Sequence, residues 1–247
     1  MSNKNKKNNS FIELLKTLFY AGTIAIIFRS FLFEPFNIPS GSMIPSLLVG
    51  DYLFVSKYTY GYSRYSFPFG VMPIKDRIAY NSPKRGDIIV FRKPGEEHVD
   101  YIKRLVGLPG DSVQVLDGRL VINGKIVKRK KTNVGQITRF DGSTINLTEY
   151  KEYFSDKKFH KIIEASDNDF FDNTISFIVP KKHFFFMGDN RDNSKDSRAS
   201  EVGFVPKKNL IGRAQIIFFS HNGSARFYEF WKWHNLIRFS RIGKKIE

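Results

Sequence analysis

Apolar positions along this chain fall into one long block and a series of short ones. The block, Leu14 to Phe33, reads LLKTLFYAGTIAIIFRSFLF, 20 residues long, which is just enough for a helix to cross a bilayer. Lys16 can snorkel at one end, and Arg29, near the other, can reach the interface. A buried helix of a soluble protein or a cleaved signal sequence has a similar look. No small-x-small cleavage site follows, however, and the run leads straight into Glu34-Pro35. Met1 to Asn9, with Lys4, Lys6 and Lys7, reads as a disordered basic tail. Basic residues ahead of a span predict a cytoplasmic N-terminus, with everything after Phe33 on the opposite face.

Beyond the block the apolar runs are short and rich in β-branched and aromatic residues, which predicts strands. They cover Tyr52 to Tyr58, Ile88 to Phe91, Asp100 to Val106, Ser112 to Leu116, Leu120 to Ile122, Ile126-Val127, Ile175 to Val179, Phe184 to Met187 and Ile211 to Ser220. Asp117-Gly118 and Asn123-Gly124 are hairpin turns by composition. Residues 59 to 83 lack periodicity and read as an extended loop or ribbon. Residues 128 to 175 turn polar, opening with Lys128-Arg129-Lys130-Lys131 and showing no helical period. The C-terminal segment mixes Phe227, Phe230, Trp231, Trp233, Leu236 and Ile237 with Lys232, Arg238 and Arg241, which suits either an interfacial helix or an aromatic cap on the core.

The class is therefore mainly β: a membrane-anchored, β-rich core with an inserted second subdomain. Residues 1–13 form the basic tail, 14–33 the anchor, 34–115 and 176–222 the core, 116–175 the insertion and 223–247 the basic aromatic end.

Composition narrows the chemistry. At 247 residues and 41% hydrophobic, the chain can bury one sizeable core or two small ones. A net charge of +16 favours anionic partners such as phospholipid, nucleic acid or acidic proteins. The chain has no cysteine, which excludes disulfides and a thiol nucleophile. The histidines, His98, His160, His183, His221 and His234, include no i, i+4 pair, and no metal site or cofactor is expected.

The stretch Phe36-Asn37-Ile38-Pro39-Ser40-Gly41-Ser42-Met43-Ile44-Pro45-Ser46-Leu47 begins where the apolar block stops. Its prolines preset an extended path, and Gly41 sets Ser40 and Ser42 two apart, so that in an extended chain both face one side. A Ser, Gly and Pro-rich linker has the same composition. A hydroxyl nucleophile needs a base, and the histidines lie in unremarkable settings without a Gly-x-Ser-x-Gly elbow. A lysine serves instead when burial keeps its amine neutral. In Tyr101-Ile102-Lys103-Arg104-Leu105, strand alternation puts Lys103 on one face with Tyr101 and Leu105, and Arg104 on the other. The run Gly188 to Arg198 is dense in side chains that bond to their own backbone. There Ser194 can donate to the lysine amine, and Asp196 can pair with Arg198 to brace the loop. The calcium-loop alternative fails, because Arg191 stands at the third ligand position.

In order, the chain carries an apolar anchor, Pro39-Ser40-Gly41-Ser42-Met43-x-Pro45, Gly50-Asp51, Arg85-Gly86-Asp87-Ile88, Asp100 to Asp111, Gly188-Asp189-Asn190-Arg191-Asp192-Asn193-Ser194-x-Asp196-Ser197-Arg198, Gly203-Phe204-Val205-Pro206 and Gly212-Arg213-Ala214. With an echo at Ser240 to Gly243, this series resembles the bacterial type I signal peptidases over roughly residues 28 to 111 and 184 to 217. The resemblance implies a membrane-bound serine endopeptidase that removes signal peptides from exported precursors through a Ser/Lys dyad. It implies Ser42 as nucleophile, Lys103 as general base, and Ser40 with the Ser42 N–H as oxyanion hole. Ser194 would orient the base, and Phe36, Ile38 and Ile102 would form pockets for small residues at −1 and −3. The implied setting is the bacterial inner membrane, single-pass, with the catalytic part on the periplasmic face. The implied partners are precursor proteins, membrane phospholipid and a nearby secretion translocon, with no nucleic acid. The chain departs from some relatives in having one apparent span and no cysteine pair.

Overall fold

The computed structural model describes residues 2–67, 70, 72–96, 98–138, 144–156, 158–223, 229, 231 and 233–246. It opens with a helix, α1, Ser2–Phe31, whose segment Phe11–Phe31 is long and apolar enough to cross a membrane and is exposed from Phe11 to Arg29. Met1 lies outside the described residues. The expectation of a disordered tail does not hold for Ser2 to Asn9: no proline or glycine separates them from the apolar run, so the helix extends back through them. Pro35 sets the other end by disfavouring helix at Glu34. The chain then enters β1, Phe33–Asn37. Tyr62 donates to the Phe31 carbonyl at 3.0 Å, and the Phe31 ring packs edge-on against Tyr62 and Phe67, which holds the end of α1 to the body.

A seven-stranded antiparallel sheet carries the rest. Its members are β1, β2 (Asp51–Ser56), β3 (Ile88–Arg92), β4 (Asp100–Gly107), β12 (His183–Met187), β13 (Val205–Pro206) and β14 (Leu210–Ser220), in the spatial order β1-β2-β14-β3-β4-β12-β13. Three buried clusters pack on its faces, two of them centred on β3. Ile38, Met43, Leu47, Leu53, Ile88 and Val90 pack in one; Ile89, Phe91, Leu105, Phe184 and Phe186 pack in the other. The alternation Ile88/Val90 against Ile89/Phe91 is what assigns neighbouring positions to opposite clusters.

A four-stranded sheet joins β5 (Ser112–Leu116), β6 (Arg119–Ile122), β7 (Lys125–Ile126) and β11 (Phe177–Ile178). Both Asx-Gly turns are present, with positive φ at Asp117, Gly118, Asn123 and Gly124. The polar run 128–175 has a regular structure that its composition does not announce. It holds β8 (Lys128–Thr138), β9 (Thr144–Ser155) and β10 (Lys158–Glu164), three antiparallel strands in the order β10-β9-β8. Charged and hydroxyl side chains occupy both faces of much of β8, so its period of two leaves no apolar trace in the sequence.

Among the described residues of 58–83, Tyr58–Tyr60 and Arg64–Ser66 form short 3₁₀ turns and Tyr62 bridges Ile78. At the C-terminal end, Ser224, Phe227, Phe230 and Lys232 lie outside the described residues. The described part contains a four-residue helix, α2, Trp233–Leu236. The chain after α2 runs beside β14, with Gly243 N–H donating to Ile217 O at 2.8 Å and Ile246 N–H to Gln215 O at 2.9 Å.

Phe186 is fully buried and stacks on Phe91 at 4.5 Å between ring centroids. Phe186→Ala is expected to cost about 3–5 kcal/mol through lost burial and a residual cavity. The check is the midpoint of thermal or urea unfolding followed on the body in detergent.

Candidate active site

The serine stretch is not extended throughout. Ser40 is extended, at φ −124° and ψ 155°, but Gly41–Met43 form a 3₁₀ turn, with Ile44 N–H reaching Gly41 O at 3.2 Å. Ser40 and Ser42 therefore do not share a side by strand alternation. The turn itself brings their Oγ atoms to 3.4 Å. Met43 and Leu47 anchor the turn in the core, both fully buried. Ile38 exchanges backbone bonds with Asp51 and Gly50.

Lys103 sits on β4 opposite Ile89, 5% exposed. Its Nζ donates to Ser42 Oγ at 2.5 Å and lies 5.3 Å from the Tyr101 ring centroid. Burial lowers its pKa to about 8, with the carboxylates of Asp196 and Asp189 pulling the other way. Neither carboxylate forms an ion pair with it; each is taken by an arginine. Arg104, the next residue on β4, clasps Asp189 at 2.7 and 2.8 Å and reaches Gly86 O at 2.7 Å and Ser46 Oγ at 3.2 Å. Arg198 clasps Asp196 at 2.9 Å from both Nε and NH2. Burial works against ionisation of both carboxyls, and the guanidinium beside each outweighs it and holds the acid below its usual range.

The loop after β12 locks these parts to the serine turn. Asn190 donates from its backbone to Ser42 O at 3.1 Å and from Nδ2 to Gly41 O at 3.0 Å. Asp196 accepts the Gly188 N–H at 2.9 Å, and Arg198 donates to Arg191 O at 2.6 Å. A Cβ at Gly188 would fall 2.1 Å from Ser194 Oγ and 2.6 Å from Ser42 O, so only glycine lets the strand end and the serine turn approach this closely. Arg191 in turn is gripped by Glu152 of β9, at 2.9 Å to Oε1 and 2.5 Å to Oε2, with both side chains buried. That pairing fastens the three-stranded sheet to the site.

A cleft of about 760 Å³ opens over this arrangement. Phe36, Ile38, Ser40, Ser42, Ile102, Lys103 and Ser194 all line it. Asp196 and Arg198 lie beneath, both buried. Ser194 is 5% exposed; its hydroxyl makes no bond to Lys103 and lies close enough to the Asp196 carboxylate to help lower its pKa. Val90, Tyr101 and Phe171 also line the cleft, and sequence reading did not assign them. Phe171 comes from the polar run and lies under the Arg198 guanidinium at 5.2 Å. No local pattern ties such a residue to a site formed by distant segments. Tyr101 carries a clue, since it precedes Lys103 by two on a strand and must share its face.

Comparison with known proteins supplies the class. Residues 11–219 match the family model described as signal peptidase, peptidase S26. Signal peptidase I of Rickettsia typhi is 44% identical over 230 residues, covering 89% of this chain and 85% of that protein. Signal peptidase I of Rickettsia akari is 47% identical over 206 residues, covering 80% and 75%. A crystal structure of a signal peptidase I from Enterococcus faecalis aligns with 54% of this chain and 97% of its own at 26% identity, with a TM-score of 0.31. The class is that of a serine endopeptidase, a membrane-associated hydrolase. Within it, the chain belongs to the signal peptidase family, peptidase S26.

A lysine whose folded pKa is about 8, against 10.5 when free, binds its proton more weakly in the folded state. The cost to folding is therefore full below pH 8 and fades as pH rises towards 10.5. Lys103→Met is expected to raise the stability of the body by about 3 kcal/mol at pH 7 and by progressively less above pH 8. Denaturant unfolding at pH 7 and pH 10 checks both the sign and the convergence.

Proposed function

We propose that the chain removes signal peptides from exported precursor proteins by acyl transfer through a Ser42/Lys103 dyad. The observation that carries this reading is the 2.5 Å hydrogen bond from Lys103 Nζ to Ser42 Oγ, made by an amine whose pKa burial brings to about 8. In its neutral form Lys103 takes the Ser42 proton as Oγ attacks the scissile carbonyl, then passes it to the leaving amine. The product of this half is an ester on Ser42. A water takes the place of the departed amine, gives a proton to Lys103 and attacks the ester. The acyl carbon leaves Ser42, and the proton returns to Oγ.

Negative charge on the tetrahedral oxygen needs donors. The Ser40 hydroxyl, 3.4 Å from Ser42 Oγ, and the Ser42 N–H are the two proposed. Ser194, buried in the same cleft as Lys103, is proposed to orient the amine once substrate displaces the Lys103–Ser42 bond. Asp196 and Arg198 brace the loop beneath it. Phe36, Ile38 and Ile102 are proposed to form the shallow pockets for small residues at −1 and −3.

The setting we propose is the bacterial inner membrane, crossed once by α1 with the N-terminus in the cytoplasm and the body on the periplasmic face, near the secretion translocon. The basic residues Lys4, Lys6 and Lys7 support that orientation. The separation into a core at 34–115 and 176–222 with an insertion at 116–175 is likewise a proposal. The pairing of β11 with β5 next to both joints supports it.

In detergent with a purified precursor, Ser42→Ala and Lys103→Met are each expected to reduce cleavage to background. Near-normal cleavage by either variant sinks the dyad. Ser40→Ala is expected to lower kcat by about a hundredfold to a thousandfold with little change in KM. The neutral amine is the active form, so kcat/KM should climb about tenfold per pH unit and level off above about 8. A profile that is flat from about pH 5 to 9 contradicts a lysine base.

A further inference from the structure

Phe170 is the most exposed large apolar side chain among the described residues, at 83%. A lone exposed ring is ordinary on a protein surface. This one is paired with a residue of the cleft. Its ring meets Phe171 edge-on, at 4.8 Å between centroids and 78° between planes, and Phe171 lines the cleft that holds Ser42 and Lys103. Stacking under the Arg198 guanidinium at 5.2 Å gives Phe171 a structural task, but leaves Phe170 without one.

A hydrogen-bonded turn carries both rings. The buried Asp172 carboxylate accepts the Asp169 N–H at 2.6 Å, Asp172 N–H returns to Asp169 O at 3.0 Å, and Asp169 Oδ1 accepts the Phe170 N–H at 2.7 Å. Gly118 N–H donates to Asp172 O and Thr174 N–H to Val115 O, each at 3.0 Å, which ties the turn to the hairpin of β5 and β6. On the side of the cleft, Asp192 accepts the N–H groups of Ala165 at 2.6 Å and Ser166 at 3.2 Å. A pair of rings held in this way offers apolar contact with little left to order when a partner arrives.

The occupant follows from where the cleft leads, on the proposed function, on which this inference rests. Side chains before the cut lie at Phe36, Ile38 and Ile102, and the scissile carbonyl lies at Ser42 Oγ. Residues after the cut therefore leave on the far side of the serine turn. Asn193 borders that turn, since a Cβ at Gly41 would fall 3.9 Å from its Nδ2, and it shares the cleft wall with Asp192 and Phe171. A chain leaving along this wall meets Phe171 inside the cleft and Phe170 at its mouth.

We propose that Phe170 and Phe171 form a docking ledge for the first residues of the mature part of the precursor, favouring an apolar or aromatic side chain within four residues after the cut. The inserted run thereby contributes to substrate choice on the side of the cut opposite the −1 and −3 pockets.

The test uses the full chain in detergent, in a Ser42→Ala background so that binding is read without cleavage. Labelled peptides carry a signal segment with alanine at −3 and −1, followed by four residues that reach about 13 Å past the cut when extended. These four are all serine, or three serines and one phenylalanine moved through each position. Fluorescence anisotropy is expected to find phenylalanine at one position binding about tenfold tighter than the serine peptide. Ser42→Ala/Phe170→Ser is expected to cut that difference to about twofold and to bind the serine peptide as before. With Ser42 intact, Phe170→Ser should raise KM for the best peptide about fivefold and leave kcat within about twofold. No preference at any position, or a preference unchanged by Phe170→Ser, overturns the ledge while binding of the signal segment upholds the proposed function. An equal drop for every peptide, serine included, marks damage to the cleft and also overturns it. So does weaker binding of Phe170→Ser to phosphatidylglycerol vesicles with the peptide order unchanged, which marks the ring as a lipid contact. Failure of every peptide to bind removes the proposed function, and this inference with it.

Discussion

The arrangement depends on one buried ion pair. Arg104 and Asp189 are almost wholly out of water and bound to one another through two hydrogen bonds. The pair costs desolvation that hydrophobic residues of the same size would not, and breaking it from one side leaves a buried charge without a partner. What it supplies is position. Arg104 is covalently next to Lys103, Asp189 stands at the head of the loop that holds Ser42 O through Asn190, and Ser46 of the serine stretch bonds to Asp189 Oδ2 at 2.5 Å. Three segments far apart in sequence meet on two side chains. A buried amine lining the cleft is left beside a hydroxyl with no carboxylate of its own.

That omission is the other half of the design. Asp189 and Asp196 are both close enough to favour the charged form of Lys103, and either one as a direct partner would hold the amine protonated near neutral pH. Arg104 and Arg198 occupy them instead. Burial then dominates the balance at Lys103. The loop's carboxylates serve as structural anions, and the strand's lysine is left free to titrate.

These parts are unevenly legible in the sequence, for physical reasons. The strands with apolar alternation, β3, β4 and β12, can be read because their side chains must face a core. The long strands β8 and β9 cannot, because much of their surface is polar on both faces and their pairing is carried by the backbone. The residues that line the cleft are legible where Gly, Ser and Pro crowd a short stretch, as in Pro39 to Pro45, or where a lysine interrupts an apolar strand. Phe171 and the grip of Glu152 on Arg191 are not legible, since each joins segments that only tertiary folding brings together. The serine turn also differs from the extended path that its prolines suggest. Gly41 opens a 3₁₀ turn there, and the proximity of Ser40 and Ser42 comes from that turn.

Asp51, directly after the serine stretch, is fully buried and accepts from Leu48 N–H at 2.8 Å, Ser220 Oγ at 2.7 Å and Arg241 Nε at 2.9 Å. Arg241 also donates to Ser46 O at 3.1 Å, across a separation of 195 residues. Contacts that far apart in sequence carry a large loop-closure entropy and form after local ones. Ser46 and Asp51 leave the ribosome soon after the anchor, yet their last hydrogen-bond donor arrives nearly two hundred residues later. The Ser42 loop is thus among the first parts of the body to be synthesised and among the last to be secured. A chain that stops short of Arg241 lacks one of the donors that tie this loop to the end of the fold, Arg238 to Val49 O being another.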